Sequence, residues 1–368
     1  MTDATAPDDD LLALYDYPLA GVRIATTPCE PRDAARLLVA EGDARPPRHH
    51  RFRELPHLLA PGDLLVVNDT RVLPVRLRAA RASGGKVELL LHPTGLDGGE
   101  AVLALLQPSA RIKAGEWLSV AGGPRVQVID PPGGELRRVR IEGGLAAALA
   151  VGTLPLPPYL GRDGELPNDR SDYQTLFASA PGAIAAPTAG LHFTPAVCER
   201  LAARAIELQR ITLHVGPGTF LPVRAERLRD HAMHEELYEV SQALVDAVAA
   251  TRARGGRVIA VGTTTTRALE SAASAGTLVA GRARTRLMIR PPFAFRVLDG
   301  LLTNFHLPKT TLLALVAAFA GRERMLALYR EAAAEGYRFY SYGDAMLLLG
   351  ERRAASDTPP QAAADGRR

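Results

Sequence analysis

Lysine is nearly missing from this chain. Lys86, Lys113 and Lys309 are the only three among 44 basic residues, so 41 are arginine. With alanine abundant, that skew reads as the codon bias of a GC-rich genome. The net charge of +4 and the pI near 9.2 therefore permit phosphate binding without demonstrating it. Cysteine is also scarce. Cys29 and Cys198 lie far apart, which excludes both a disulfide framework and a Cys-based metal spacing. Both are expected to be small buried hydrophobes. No 18-residue apolar run is present, so no membrane-spanning helix is expected. The opening MTDATAPDDD is acidic and has no apolar core, which excludes a secretory leader there and points to a cytoplasmic protein. The two common nucleotide signatures, GxGxxG after a strand and GxxxxGK[ST], are absent, as is HExxH.

What remains is 368 residues, 47% of them hydrophobic, enough for one large core or two domains. Residues 1–12 and 352–368 are polar or small-residue ends, expected to be disordered. Between about 62 and 154 the chain carries short apolar runs (LLVV, KVELLLH, AVLALL, EWLSV, RVQVI, RRVRI) punctuated by Gly, Pro and Asp. That spacing predicts a small all-β barrel inserted into the rest. The flanking segments, 13–61 and 155–351, alternate strand and helix. ELQRITLHV and RVIAVG read as strands; PAVCERLAARA, SQALVDAVAATRARG and TTTRALESAASAG read as helices. The expected fold class is α/β: a mixed sheet with flanking helices in three layers, plus the inserted barrel.

Five polar constellations stand out. RVIAVGTTTTRALES puts Gly262, Thr263, Thr264 and Arg267 where a strand hands over to a helix, a place that suits a carboxylate or phosphate. APTAGLHFTP places Thr188, Gly190, His192 and Phe193 in a loop before a helix capped by Thr194. ITLHVGPGTFLPVR carries His214 out of a strand into the turn Gly216, Gly218, Thr219. DHAMHEELYEV spaces His231 and His234 three apart, which on a helix gives one shared face with Glu235 nearby. NDTRVLPVRL ends the LLVV strand at Asn68 and Asp69, with Arg71 and Arg76 following. A sixth stretch, TNFHLPKTT, embeds Asn304 and His306 in an apolar run. Unsatisfied there, each would cost about 1–3 kcal/mol.

Ten motifs in one order, NDTRV, GGKVELLL, PLPPYL with Arg162, YQT, APTAGLHF, TLHVGPGTF with PV, HAMHEE, RVIAVGTTTTRALES, TNFHLP and YRFYSYGDAM, resemble the S-adenosylmethionine:tRNA ribosyltransferase-isomerase (QueA) family over about residues 14 to 350. The resemblance implies transfer of the ribosyl part of S-adenosylmethionine to 7-aminomethyl-7-deazaguanine at the wobble position of a tRNA anticodon loop. The product is epoxyqueuosine, and adenine and methionine leave. S-adenosylmethionine would be a consumed co-substrate, and a metal is not expected. The implied fold is also α/β with an inserted barrel, and the chain is expected to be a monomer. Pro217, Pro292, Lys309 and Thr310 stand where the family usually has other residues.

Such chemistry needs a base, an acid, and donors for hydroxyls and a carboxylate. The candidates for proton transfer are His192, His214, His231, His234 and His306. Thr264 and Arg267 are expected at the carboxylate, and Asn304 and Asp344 at ribose hydroxyls or base edges. Phe193 or Tyr342 would stack on an extruded base, and Arg71, Arg76 and Arg338 would meet phosphates. Three other readings compete: a metal-dependent hydrolase on His231, His234 and Glu235, a non-catalytic tRNA-binding module using the barrel, and a paralogue with another acceptor.

Overall fold

A computed structural model of the chain describes residues 9–42, 45–92, 101–162 and 164–350. Nine strands form one sheet in the order 281–285, 236–240, 207–213, 64–68, 258–261, 300–304, 345–349, 36–41, 48–51. Glu207–Leu213, Leu64–Asn68, Val258–Val261 and Gly300–Asn304 run parallel. Ala345–Leu349 pairs antiparallel to Gly300–Asn304, and the two outer strands at each edge pair antiparallel.

The three layers follow from alternation along the central strands. Leu64 and Val66 pack with Val258, Ala260, Leu213 and the helices Gln242–Ala253 and Thr263–Ala272. Leu65 and Val67 point the other way, toward Phe52, Phe177, Phe193 and the helix Pro195–Ala203. A third cluster seats Thr311–Ala320 and Arg322–Ala334 against Leu301, Phe305 and Leu348. Each buried Val, Leu or Phe contributes about 1.5–3 kcal/mol. Three helices start where short hydroxyl side chains predict: Thr194, Ser241 and Thr310 each accept the backbone N–H three residues on.

The barrel is present and closed, with strands 76–81, 86–91, 102–107, 136–141, 125–128 and 117–120 around it. Leu77, Leu89, Ala104, Leu118, Val126 and Val139 fill it. The LLVV run is not one of its strands. Leu64–Asn68 lies at the centre of the large sheet and is buried on both faces, so it shows no alternation to separate it from a barrel strand by sequence. Arg137 is wholly buried in the barrel, donating to the carbonyls of Asp130 and Ser109.

The chain enters and leaves the barrel side by side: Arg76 and Thr153 exchange backbone hydrogen bonds of 3.0 and 2.9 Å. A Cβ added at Gly152 would sit 1.8 Å from the Pro74 carbonyl oxygen. Gly152→Ala is therefore expected to destabilise the protein by about 1–3 kcal/mol, read as a lower urea midpoint.

Two smaller expectations are corrected. Within the tail expected to be disordered, residues 9–12 are packed: Asp10 is buried and holds Arg229. Residues 1–8 and 351–368 lie outside the described residues. Cys29 and Cys198 are free but half-exposed rather than buried.

Candidate functional site

The four parallel strands end along one side of the sheet, and two of them close on a buried asparagine, Asn68 and Asn304. Asn68, buried, closes Leu64–Asn68. Its amide nitrogen donates to the Leu213 carbonyl at 2.9 Å and to Thr264 Oγ1 at 3.1 Å. Its Oδ1 accepts from the N–H groups of Thr70 and Leu213. One side chain thus ties three neighbouring strand ends together. Asp69 accepts from Thr212 Oγ1 at 2.7 Å and Ser179 Oγ at 3.0 Å.

His214 follows the strand Glu207–Leu213 directly. Its Nδ1 lies 2.7 Å from Thr70 Oγ1, and its ring is half-exposed. The ring lies against Gly182, where an added Cβ would come within 2.8 Å of it. Burial, then the charge of Arg282, pushes its pKa below the ordinary 6.5. At neutral pH this is an uncharged imidazole whose Nδ1 is tied to Thr70, with no hydrogen bond to the other nitrogen among the described residues.

Two strands from Leu64–Asn68, Asn304 receives a hydrogen bond from Thr188 Oγ1 at 2.8 Å and lies 3.2 Å from His192 Nε2. His192 is buried, and burial with the charges of Arg338 and Arg32 pushes its pKa down to about 3. His306 pairs with Thr303 at 2.8 Å, and burial takes its pKa down to about 4. Asn304 and His306 thus find partners within the fold, and the polar pair of TNFHLP is satisfied.

Gly216 and Gly218 lie in the turn after His214. The Gly216 N–H donates to Glu236 Oε1 at 3.0 Å, and Gly218 packs on His234. Thr219 is exposed in the same turn. Glu236 Oε2 is bonded to Arg267, whose Nε donates to the Leu287 carbonyl at 3.0 Å. Arg267 thus sits beside an internal carboxylate. Of the threonine run, Thr265 and Thr266 bond back to Val261 and Gly262, and Thr264 is met by Asn68. Thr263 is buried at the start of that helix, after Gly262.

The other candidates divide clearly. Phe193 is 2% exposed and packs edge-on with Phe52 and Phe177, so it presents no open face to a base. Tyr342 is equally buried, against Tyr173. Gly190 packs on Thr175. Arg71 donates to the Ala178 carbonyl, and Arg76 pairs with Glu88 on the barrel. Asp344 accepts the N–H groups of Arg36 and Arg338 at 2.8 and 2.7 Å, so its carboxylate is a local staple. Residues 231–235 form no helix; a strand begins at Glu236. His234 faces Glu135 of the barrel at 3.4 Å, and Glu235 pairs with Arg284 at 2.9 Å. Among the described residues no three His, Cys, Asp or Glu group as a metal set, so the hydrolase reading has no ligands to stand on.

Sequence reasoning missed Thr70, His92 and the role of Glu236. His92 ends a barrel strand and packs near Gly216 and Glu236, and burial pushes its pKa to about 4. The KVELLLH run ends on this histidine, the only available signal.

Comparison with known proteins agrees with this architecture. Residues 12–348 match the family described as queuosine biosynthesis protein. An S-adenosylmethionine:tRNA ribosyltransferase-isomerase of Anaeromyxobacter dehalogenans is 52% identical over 343 residues, covering 92% of this chain and 99% of that one. One from Thermus thermophilus is 49% identical over 350 residues, covering 92% and 99%. The crystal structure of an S-adenosylmethionine tRNA ribosyltransferase from Thermotoga maritima matches at 33% identity and a TM-score of 0.51, over 91% of this chain and all of that one. With a match spanning nearly every described element and relatives at about half identity, the chain belongs to the queuosine biosynthesis protein family.

Proposed function

We propose that this chain is an S-adenosylmethionine:tRNA ribosyltransferase-isomerase. It moves the ribosyl part of S-adenosylmethionine onto 7-aminomethyl-7-deazaguanine at the tRNA wobble position, forms epoxyqueuosine, and releases adenine and methionine. The reading carries with it a cytoplasmic monomer that meets the anticodon loop of its tRNA.

The observation that carries it is the Thr70–His214 pair at the sheet edge. A sulfonium acidifies the hydrogens on its attached ribose carbon. A neutral, oriented imidazole suits their removal. The carbanion so formed opens the sugar and expels adenine. The aminomethyl nitrogen of the base then attacks, and ring closure expels methionine. Thr264, whose hydroxyl accepts from Asn68, keeps its own O–H to donate to a sugar hydroxyl. Thr188 and Asn304 hold His192 beside them. Basic side chains at the protein surface would take tRNA phosphates.

The test incubates the protein with S-adenosylmethionine and tRNA carrying the aminomethyl-deazaguanine. Free adenine and the mass gain on the tRNA are then measured. Both are expected. Folded protein that releases no adenine defeats the proposal, and adenine release without mass gain on this tRNA points to another acceptor.

A further inference from the structure

Buried polar groups without a partner are few in native proteins, and each calls for a cause such as an absent ligand. Three occur on one seven-residue turn here. Between Arg338 and Asp344, Arg338 Nη2, the Tyr340 hydroxyl and the Tyr342 hydroxyl are all buried without a hydrogen-bond partner. Thr175 Oγ1, two residues beyond the Tyr173 that packs on Tyr342, is in the same condition. Tyr340 and Tyr342 are only 5% and 2% exposed.

The turn is also held in a costly shape. Tyr340 has a φ of 74°, in the region that a bulky residue seldom adopts. Gly343 is pressed so close to the Phe339 and Arg338 backbone that a Cβ would come within 2.4 Å of the Arg338 carbonyl oxygen. Four bonds fix the geometry: Tyr340 N–H to the Phe305 carbonyl, Ser341 N–H to the Tyr159 hydroxyl, and the two backbone bonds to Asp344. The orphaned donors are therefore rigidly placed rather than loose.

Their position is next to the site. The Asn304 amide approaches the Asp344 carbonyl at 3.4 Å. Tyr342 shares a cluster with Leu191, and Thr175 packs on Gly190, so both border the Thr188–His192 turn. Arg338 brings its guanidinium close to His192, with Asp344 3.9 Å from its Nη2. The Asp344 oxygens take two backbone N–H groups, so Arg338 Nη2 keeps an N–H that no oxygen accepts.

We propose that Arg338, Tyr340 and Tyr342, together with Thr175, form a carboxylate subsite that takes the amino-acid end of S-adenosylmethionine. One guanidinium N–H and neutral hydroxyl donors match an anionic acceptor, and their burial suits a small ligand better than an RNA phosphate. Arg267, the residue expected there from sequence, spends its Nη1 on Glu236 and its Nε on the Leu287 carbonyl. This assignment rests on the proposed activity.

The test is calorimetric titration of the full chain with S-adenosylmethionine and with its decarboxylated analogue. Tyr342→Phe removes only a hydroxyl that has no partner, so the free protein is expected to keep or raise its melting temperature. Its affinity for S-adenosylmethionine is expected to fall about 10- to 100-fold, with the analogue's affinity unchanged. Arg338→Met gives up the Asp344 ion pair and is expected to lose some stability, with the same selective fall in S-adenosylmethionine affinity, and tRNA affinity should stay level in both variants. Unchanged S-adenosylmethionine binding, or equal loss with both compounds, overturns the subsite. A loss of tRNA affinity alone overturns it too and gives the turn to RNA phosphate. Wild-type protein that binds neither compound instead overturns the activity reading beneath it.

Discussion

His214→Gln is expected to slow turnover about 100- to 10,000-fold while leaving the unfolding midpoint nearly unchanged. The substitution keeps a polar group near Thr70 but removes the basic nitrogen. The fold loses little, because the ring is half-exposed and its one described side-chain partner is Thr70. The pH dependence gives a second reading of the same idea. A base must be uncharged to work, and burial with Arg282 lowers the His214 pKa below 6.5. The uncharged form therefore persists below that pH. Wild-type kcat/KM should stay level as pH falls through 6.5 and decline only at lower pH. The variant's residual activity should lack that decline. A fall centred at or above 6.5 would assign the base to another group. Gly182→Ala supplies an independent route, since its Cβ would come within 2.8 Å of the ring and push it off Thr70.

His192, an equal candidate by sequence, is expected to matter less directly. It is buried, and its Nε2 already faces the Asn304 amide. It positions Asn304 and Thr188. Its loss should unsettle that pair and lower stability together with rate.

These distinctions mark where sequence reading stops. Local signals carry far: Thr194, Ser241 and Thr310 are legible as caps because an N-cap bond spans three residues. The barrel's alternating runs are legible because one face of each is inside. Leu64–Asn68 is misplaced by sequence because burial on both faces erases the period of two. The HAMHEE stretch resembles a helical face only while a helix is assumed; extended backbone at Glu236 takes that face apart. The residue types at the strand ends can be read. Their partners cannot, because Asn68 with Thr264 and Thr70 with His214 are separated by 196 and 144 residues. The same holds for Phe193, whose aromatic ring suggests stacking until Phe52 and Phe177 enclose it.

A buried ion pair lies beneath the site, and breaking it should have a large effect on stability. Glu236 and Arg267 are each 8% exposed at the side chain and bonded to one another. Arg267→Met is expected to cost about 3–5 kcal/mol, because Glu236 is left as a buried charge without its guanidinium partner. Its measurement is the urea or thermal unfolding of the variant against the wild type. The sign of a second substitution separates charge burial from lost packing. Adding Glu236→Gln to Arg267→Met removes the stranded charge, so the double variant should be more stable than the single one. The amide oxygen that Glu236→Gln leaves in place can still accept from the Gly216 N–H, so the turn that follows His214 should keep its position. If the double variant is as unstable as the single one, the loss belongs to the packing of the Arg267 stem. If the single variant costs under about 1 kcal/mol, the pair behaves as a solvated surface contact and does not brace the turn.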